Sequence, residues 1–172
     1  MSVLLLVRNE SRHKRLYRTD DLRHLAERIC DAERVRGDAE LSLLLCDDAF
    51  ITELNRTYRR KNATTDVLAF GQVPEAERFS MRGVSETWPL GDIVISLETV
   101  ARRCASGAVG VPRRKAMRQE LRLLFCHGLL HLLGSEHATE EARAEMNAKQ
   151  ARYLGVTEEA AWHSLPKGSR LR

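Results

Sequence analysis

The chain has 172 residues, of which 43% are hydrophobic and 30% charged, and its formal net charge is +4. This length and composition are typical of one globular domain with a core of its own, so we expect a single domain over residues 1–172 with a loose basic tail at about 163–172. The apolar run at residues 3–7 is too short for a signal peptide or a membrane span, which makes the cytoplasm the expected location. The mild positive charge favours anionic partners but does not by itself indicate nucleic acid.

Four short segments predict β-strands, because their apolar residues come in runs of strand length. They are residues 3–7, 41–46, 65–70 and 90–96. The first run does not alternate with polar residues, so we expect that strand to be buried on both faces. Residues 71–89 hold two glycines and two prolines without a clear period, which predicts a lid, a binding loop or a partly disordered segment.

Five further segments predict helices. They run over about residues 20–36, 48–61, 97–104, 112–133 and 139–153. Asp20 or Asp21 is the expected N-cap of the first, Asp47 or Asp48 of the second, and Thr139 of the fifth. The fourth helix is apolar nearly all round in its second half and must be deeply buried. The predicted fold is therefore α+β, with about four short strands in one mixed sheet, packed helices and the fourth helix in the core.

The fourth helix carries a candidate metal motif. His127 and His131 stand four residues apart, so both imidazoles project from one face of the helix. Gly134 allows a left-handed helix end, after which the chain can bring His137 back to the same point. Three neutral imidazoles form an open tripod, the ligand set of a catalytic zinc site. We therefore predict one divalent metal ion per chain, with zinc expected; the alternative is three separate histidines that other groups satisfy.

The histidine spacing is also that of the long zinc-protease motif H-E-x-x-H-x-x-G-x-x-H, with one change. The protease motif has a glutamate as general base where this chain has Gly128. Glycine offers no proton acceptor and costs about 1 kcal/mol in a helix relative to alanine. A metal site therefore remains, but the machinery for peptide hydrolysis is incomplete and a protease is the weakest alternative.

The four cysteines are scattered and form no C-x-x-C pair, so we expect free thiols.

Three blocks in chain order resemble the YbeY endoribonuclease family. The first is L-N-x-x-Y-R at residues 54–59, followed by T-D-V-L-A-F at residues 65–70. The others are L-G-D-I at residues 90–93 and H-G-L-L-H-L-L-G-S-E-H at residues 127–137. The chain departs from the family pattern at Ala69, Gly71, Ser135 and Glu136, where the family has serine, proline, tyrosine and aspartate.

The resemblance implies a zincin-like, zinc-dependent endoribonuclease that cuts single-stranded RNA in ribosomal RNA maturation and ribosome quality control. Metal-bound water would attack the phosphodiester. The implied partners are small-subunit precursor RNA and the small ribosomal subunit, with an Era-type GTPase for some members and no membrane. A different class of function stays open, namely a ribosome-assembly factor that binds RNA and protein and uses its metal to hold the fold.

Further residues complete the predicted site. Arg59 is the expected phosphate clamp, because the family pattern places an arginine there and a guanidinium binds phosphate through two parallel hydrogen bonds. Together with His131 it is assigned to catalysis. Candidate partners of the metal ligands or of RNA are Asp66, Asp92, Glu136, Arg60 and Lys61, and structural roles at strand ends are equally open for the two aspartates. Glu120 lies two turns before His127, and a surface ion pair is its expected role.

Overall fold

The computed structural model describes residues 1–72, 87–105 and 111–162. The strands are β1 (Val3–Asn9), β2 (Asp38–Cys46), β3 (Val67–Gly71) and β4 (Thr87–Ser96). The helices are α1 (Thr19–Ala32), α2 (Asp48–Arg59), α3 (Leu97–Ala105), α4 (Arg113–Leu132), α5 (Glu140–Leu154) and α6 (Glu158–Trp162). The predicted tail at residues 163–172, and residues 73–86 of the predicted loop, lie outside the described residues.

The four strands form one mixed sheet in the order β1-β2-β4-β3. β1 pairs with β2, and β2 with β4, in parallel, whereas β3 runs antiparallel to β4. The helices pack around this sheet. The predicted α+β class, with four strands in a mixed sheet and packed helices, is therefore confirmed.

One face of the sheet holds the main core. α4 packs on β3 and β4, and α1 packs on β1 and on α4. All residues from Leu123 to Leu130 are buried, as the apolar second half of that helix predicted. The facing side chains of the sheet include Leu43 and Ile93, which are register partners and fully buried. The helix with the histidine motif is thus fixed between the sheet and its neighbouring helices.

The other face of the sheet is only partly covered. α2 lies over β3 and β4, whereas the outward side chains of β1 remain open: Leu4 is 54% exposed and Leu6 is 48% exposed. The prediction that β1 is buried on both faces is therefore wrong. An apolar run of five residues does not distinguish a central strand from an edge strand with one covered face.

The helix starts follow the predicted caps with one correction. Asp47 caps α2 by accepting the Phe50 N–H at 2.8 Å, and Thr139 caps α5 by accepting the Ala142 N–H at 3.2 Å, both as predicted. α1 instead begins at Thr19, after Arg18, with no side-chain cap. The expected caps Asp20 and Asp21 lie in its first turn, where carboxylates favour the positive end of the helix dipole.

The C-terminal ends of α1 and α2 also differ from the predicted ends. α1 ends at Ala32, about one turn before the predicted Arg36. α2 ends at Arg59, and Arg60 follows in the left-handed conformation with φ of 55°. Arg60 and Lys61 therefore lie in the connection to β3 and not in the last turn of the helix.

Candidate metal centre

Three histidines converge at the end of α4. His127 and His131 lie one turn apart on this helix, which ends at Leu132. Gly134 follows with φ of +93°, its N–H donates to the His131 carbonyl at 3.0 Å, and the Ser135 N–H donates to the Leu130 carbonyl at 2.9 Å. This turn directs the chain back so that His137 meets the other two rings, as the glycine position predicted.

The tripod is compact and largely shielded from solvent. The candidate ligand atoms of His127, His131 and His137 all lie within 4.8 Å of one another. The ring centroids are 4.6, 4.9 and 5.5 Å apart. His127 and His137 are buried, and His131 is half-buried. One side of the cluster therefore remains open at His131.

The cluster has the donors and spacing that a divalent metal requires. Nε2 of His127 and Nε2 of His131 are 3.2 Å apart, close to the distance of about 3.3 Å that two nitrogens keep on one tetrahedral zinc ion. Nε2 of His137 is buried without a hydrogen-bond partner among the described residues. An unpartnered buried nitrogen is costly unless a cation or a water molecule satisfies it. The three histidines could therefore hold a metal ion.

Burial keeps the imidazoles of His127 and His131 neutral. Loss of solvent, together with the nearby His131 ring, lowers the pKa of His127 to about 3, although a hydrogen bond to Gln150 acts in the opposite direction. Loss of solvent and the His137 ring lower the pKa of His131 to about 4, against a hydrogen bond to the Ser135 backbone. Both rings therefore have a lone pair at neutral pH, as metal ligands must.

Gly128 occupies the position of the protease glutamate, and the packing explains why a glycine fits there. A Cβ atom at residue 128 would lie 3.1 Å from Cγ2 of Ile93 on β4. This is tighter than ordinary van der Waals contact, so the glycine allows α4 to lie close to the sheet. The position faces the packed core and supplies no proton acceptor.

Asp66 immediately precedes β3, and its carboxylate contacts an arginine of α3. The side chain is fully buried and its carboxylate pairs with Arg103 at 2.6 Å. Burial raises the pKa of Asp66, and Arg103 opposes that shift. Arg103 also lies 3.5 Å from Glu120 of α4. Glu120 is only 6% exposed, so the ion pair predicted for it at the surface is in fact buried.

Asp92 lies on the face of the sheet opposite to the histidines. Its neighbour Ile93 meets Gly128 of α4, and side chains alternate along a strand. Asp92 lines a groove of about 910 Å³ between the open sheet face and α2, beside aromatic side chains of that groove. Its carboxylate accepts a hydrogen bond from Gln72 at 3.4 Å. Glu136 is exposed in the turn just before His137.

Arg59 is a partly desolvated cation on the last turn of α2. It is half-buried, and burial lowers its pKa. Within the described residues it has no ion pair and no hydrogen bond from its side chain. The preceding residue, Tyr58, packs its ring against Phe70 of β3 at 5.1 Å between centroids, which fixes the end of α2 beside this strand. Arg60 and Lys61 are exposed in the connection that follows.

One residue of the site was not predicted. Nδ1 of His127 lies 2.8 Å from Oε1 of Gln150, which is fully buried on α5. The signal was present, because Met146, Gln150 and Tyr153 follow the spacing of one buried helix face. A glutamine on such a face needs a polar partner, and a neighbouring helix rich in histidine offers one.

The fold and the site together define an α+β protein with a candidate three-histidine metal centre on its core helix. The family model described as endoribonuclease YbeY matches residues 6–158. The chain belongs to the endoribonuclease YbeY family, which confirms the resemblance of its three sequence blocks.

Individual relatives agree with this assignment. An endoribonuclease YbeY of Moorella thermoacetica is 41% identical over 136 residues, which cover 77% of this chain and 82% of the relative. One of a Synechococcus strain is 43% identical over 142 residues, covering 78% and 80%. A solution structure of a Thermotoga maritima protein has a TM-score of 0.51 and covers 92% of this chain and 89% of that protein. At 24% identity, that structure supports the fold alone.

The helices in the described ranges are either too short or too polar to cross a membrane.

Proposed function

We propose that this chain is a metal-dependent endoribonuclease that cuts single-stranded RNA. The observation that carries the proposal is the tripod of converging histidines in a member of an endoribonuclease family. The proposal extends to ribosomal RNA maturation and ribosome quality control, with small-subunit precursor RNA as the substrate. The small ribosomal subunit and an Era-type GTPase are the proposed partners.

His127, His131 and His137 are the proposed ligands of one divalent ion, with zinc the expected metal. When bound, such an ion lowers the pKa of a coordinated water molecule and stabilises the negative charge that develops on a phosphodiester. Neutral ligands leave the charge of the ion undiminished, which suits an anionic substrate. The proposed arrangement is zincin-like, since two ligands at a spacing of four residues lie on one buried helix.

Arg59 is the proposed phosphate ligand. Its guanidinium is half-buried and has no partner within the described residues, so its hydrogen-bonding capacity is free for a ligand. A guanidinium donates two parallel hydrogen bonds to a phosphate group. Arg60 and Lys61 are exposed next to it and add positive charge that would attract the RNA backbone. Asp66, Asp92 and Glu136 remain candidates for indirect roles.

In this proposal the protein acts as one domain over residues 1–172 in the cytoplasm, where ribosome assembly would supply its substrate. Two other functions have less support. A metal that only holds the fold is usually bound by four ligands, whereas this cluster has three histidines and an open side. A protease would need a general base near residue 128, where glycine packs on Ile93.

The test is incubation of the metal-loaded protein with small-subunit precursor RNA, with His131→Ala and the surface variant His24→Ala assayed in parallel. We expect cleavage by the wild type and by His24→Ala, and none by His131→Ala. Chelation of the metal should also stop cleavage. Ribosomal RNA processing that continues with His131→Ala would support the assembly-factor function instead.

A further inference from the structure

We propose that Gln150 is a positioning residue that fixes the tautomer and orientation of His127, and that the main chain of α6 in turn fixes Gln150. The inference rests on the metal-binding part of the proposed function. It concerns three elements that meet inside the protein: α4 supplies the histidine, α5 the glutamine, and α6 a backbone carbonyl.

The contacts form a short relay of two hydrogen bonds. Gln150 is 0% exposed, so both ends of its amide need partners within the protein. One end lies 2.8 Å from Nδ1 of His127, and the other lies 3.2 Å from the carbonyl oxygen of Ala161. The relay therefore extends from the metal centre to the C-terminal helix of the described chain.

The chemistry of these groups allows one arrangement of protons. A backbone carbonyl can only accept a hydrogen bond, so the NH₂ group of Gln150 must face Ala161. Its amide oxygen then faces His127, and an amide oxygen also only accepts. Nδ1 of His127 must therefore carry the proton. Its Nε2 keeps a lone pair, and Nε2 is the atom that lies 3.2 Å from Nε2 of His131 in the tripod.

The relay explains why an amide, and not a carboxylate, occupies residue 150. A glutamate could also accept the Nδ1 proton, and carboxylates are common partners of metal-bound histidines. It could not donate to the Ala161 carbonyl, and it would place a charge in a fully buried position. A glutamine satisfies both neighbours at once, so that the same side chain orients the ligand and joins α5 to α6.

A purely structural role is the competing explanation, because Gln150 also connects two helices. The two roles predict different results for two variants of the full chain. Gln150→Met removes the acceptor for His127 and the donor for Ala161. Gln150→Glu keeps the acceptor and removes only the donor. Tyr153→Phe is the matched control on the same helix, since it deletes the 2.6 Å hydrogen bond from Tyr153 to Glu33 without touching a histidine.

The measurements are the Zn²⁺ dissociation constant, from competition with a chromophoric chelator, and the melting temperature of each metal-free variant. All three variants should melt at a lower temperature than the wild type. Gln150→Met should bind Zn²⁺ about 10- to 100-fold more weakly, the usual effect of losing a partner of a ligand. The Zn²⁺ dissociation constant of Tyr153→Phe should stay within about threefold of the wild-type value. That of Gln150→Glu should stay within the same range or be lower, because a carboxylate is also a good partner of a metal-bound histidine.

Wild-type affinity in Gln150→Met, or equal weakening in Gln150→Glu and Gln150→Met, would overturn the proposal and leave a structural role. A measurement on the wild type covers the case in which a variant does not fold. Two-bond ¹⁵N–¹H correlations of the metal-free protein should show His127 protonated at Nδ1, and protonation at Nε2 would also overturn the proposal. This result does not depend on metal binding, whereas a wild-type protein that binds no Zn²⁺ would contradict the proposed function itself.

Discussion

A Cβ atom at Gly91 would lie 2.1 Å from the carbonyl oxygen of Phe70, so the two strands β3 and β4 approach each other there as only glycine allows. Gly91 also has φ of +138°, which side chains disfavour. Gly91→Ala should therefore destabilise the protein by about 3 kcal/mol or more, through strain and a backbone clash. Urea unfolding of the metal-free protein measures this loss.

Gly71 is the matched control for that substitution. It is the register partner of Gly91 on β3, and a Cβ there would meet no atom of the described residues within 4 Å. Gly71→Ala should change the free energy of unfolding by less than about 1 kcal/mol. Similar losses in both variants would show that the strand pair can shift to accommodate a methyl group.

Gly91 also illustrates what the sequence could predict and what it could not. The run from Leu90 to Ser96 correctly predicted a strand, as did the runs that became β1, β2 and β3. Strand pairing depends on contacts between distant segments, so neither the close approach of β3 nor the open face of β1 followed from local patterns.

The candidate site divides in the same way. The three histidines converge as predicted, because their spacing and Gly134 encode the geometry locally. The partners of Asp66 and Glu120 were not predictable, since Arg103 lies on another helix and its contact depends on how α3 packs beside α4. The capping prediction was wrong for α1 because the helix already begins at Thr19, which places both aspartates inside its first turn.

Arg103 should be essential for stability because it pairs with two buried carboxylates, those of Asp66 and Glu120. Arg103→Leu should cost about 3 kcal/mol at pH 7.5, as when one partner of a buried ion pair is removed. Without the guanidinium, burial raises the pKa of Asp66 further above its unfolded value. A carboxyl group with a raised folded pKa stabilises at low pH and loses that contribution as pH rises through the folded pKa.

The difference in unfolding free energy between Arg103→Leu and the wild type should therefore shrink between pH 7.5 and pH 5. Urea unfolding at several pH values measures it. Arg102→Leu is the control, because the adjacent Arg102 pairs with Asp48 and its side chain is 62% exposed. Its cost should stay within about 1 kcal/mol. A pH-independent loss in Arg103→Leu would contradict the charge argument.

Removal of the metal should destabilise the wild type. A ligand at a thousand times its dissociation constant adds about 4 kcal/mol to the unfolding free energy, which corresponds to roughly 10 °C in a domain of this size. Chelation should lower the melting temperature of the wild type by this amount and leave the melting temperature of His137→Ala unchanged.

Elemental analysis should show one metal ion per wild-type chain and a lower metal content in each single alanine variant of His127, His131 and His137. Unchanged metal content in all three variants would contradict the predicted ligands.

RNA binding should weaken steeply with salt, since Lys and Arg side chains that contact phosphates release counterions from the RNA. The affinity for an unstructured strand should exceed that for a perfect duplex of equal length, because a strand must lie beside the histidines to be cut. Fluorescence anisotropy at several salt concentrations, with a cleavage-deficient His131→Ala protein, measures both. Equal affinities for the two RNAs would argue against a single-strand-directed enzyme.

Arg59 separates function from folding. Its guanidinium is half-buried without a partner in the described residues, so Arg59→Ala should cost within about 0.5 kcal/mol of stability and could even stabilise the protein. Metal content should stay intact, since arginine is not a ligand. If the guanidinium contacts the phosphate as negative charge develops, cleavage should fall about 100-fold or more. Arg59→Lys should recover part of the activity, because an ammonium group keeps the charge but not the paired hydrogen bonds.

Single-turnover RNA cleavage by metal-loaded variants with matched melting temperatures measures the effect of Arg59. Arg56→Ala is the control, since Arg56 lies three residues earlier on α2 and pairs with Glu53 at 2.5 Å on the exposed side of the helix. It should cut at close to the wild-type rate. Wild-type cleavage by Arg59→Ala as well would leave Arg59 as an ordinary helix-end cation, and the phosphate would then have to be held by another group.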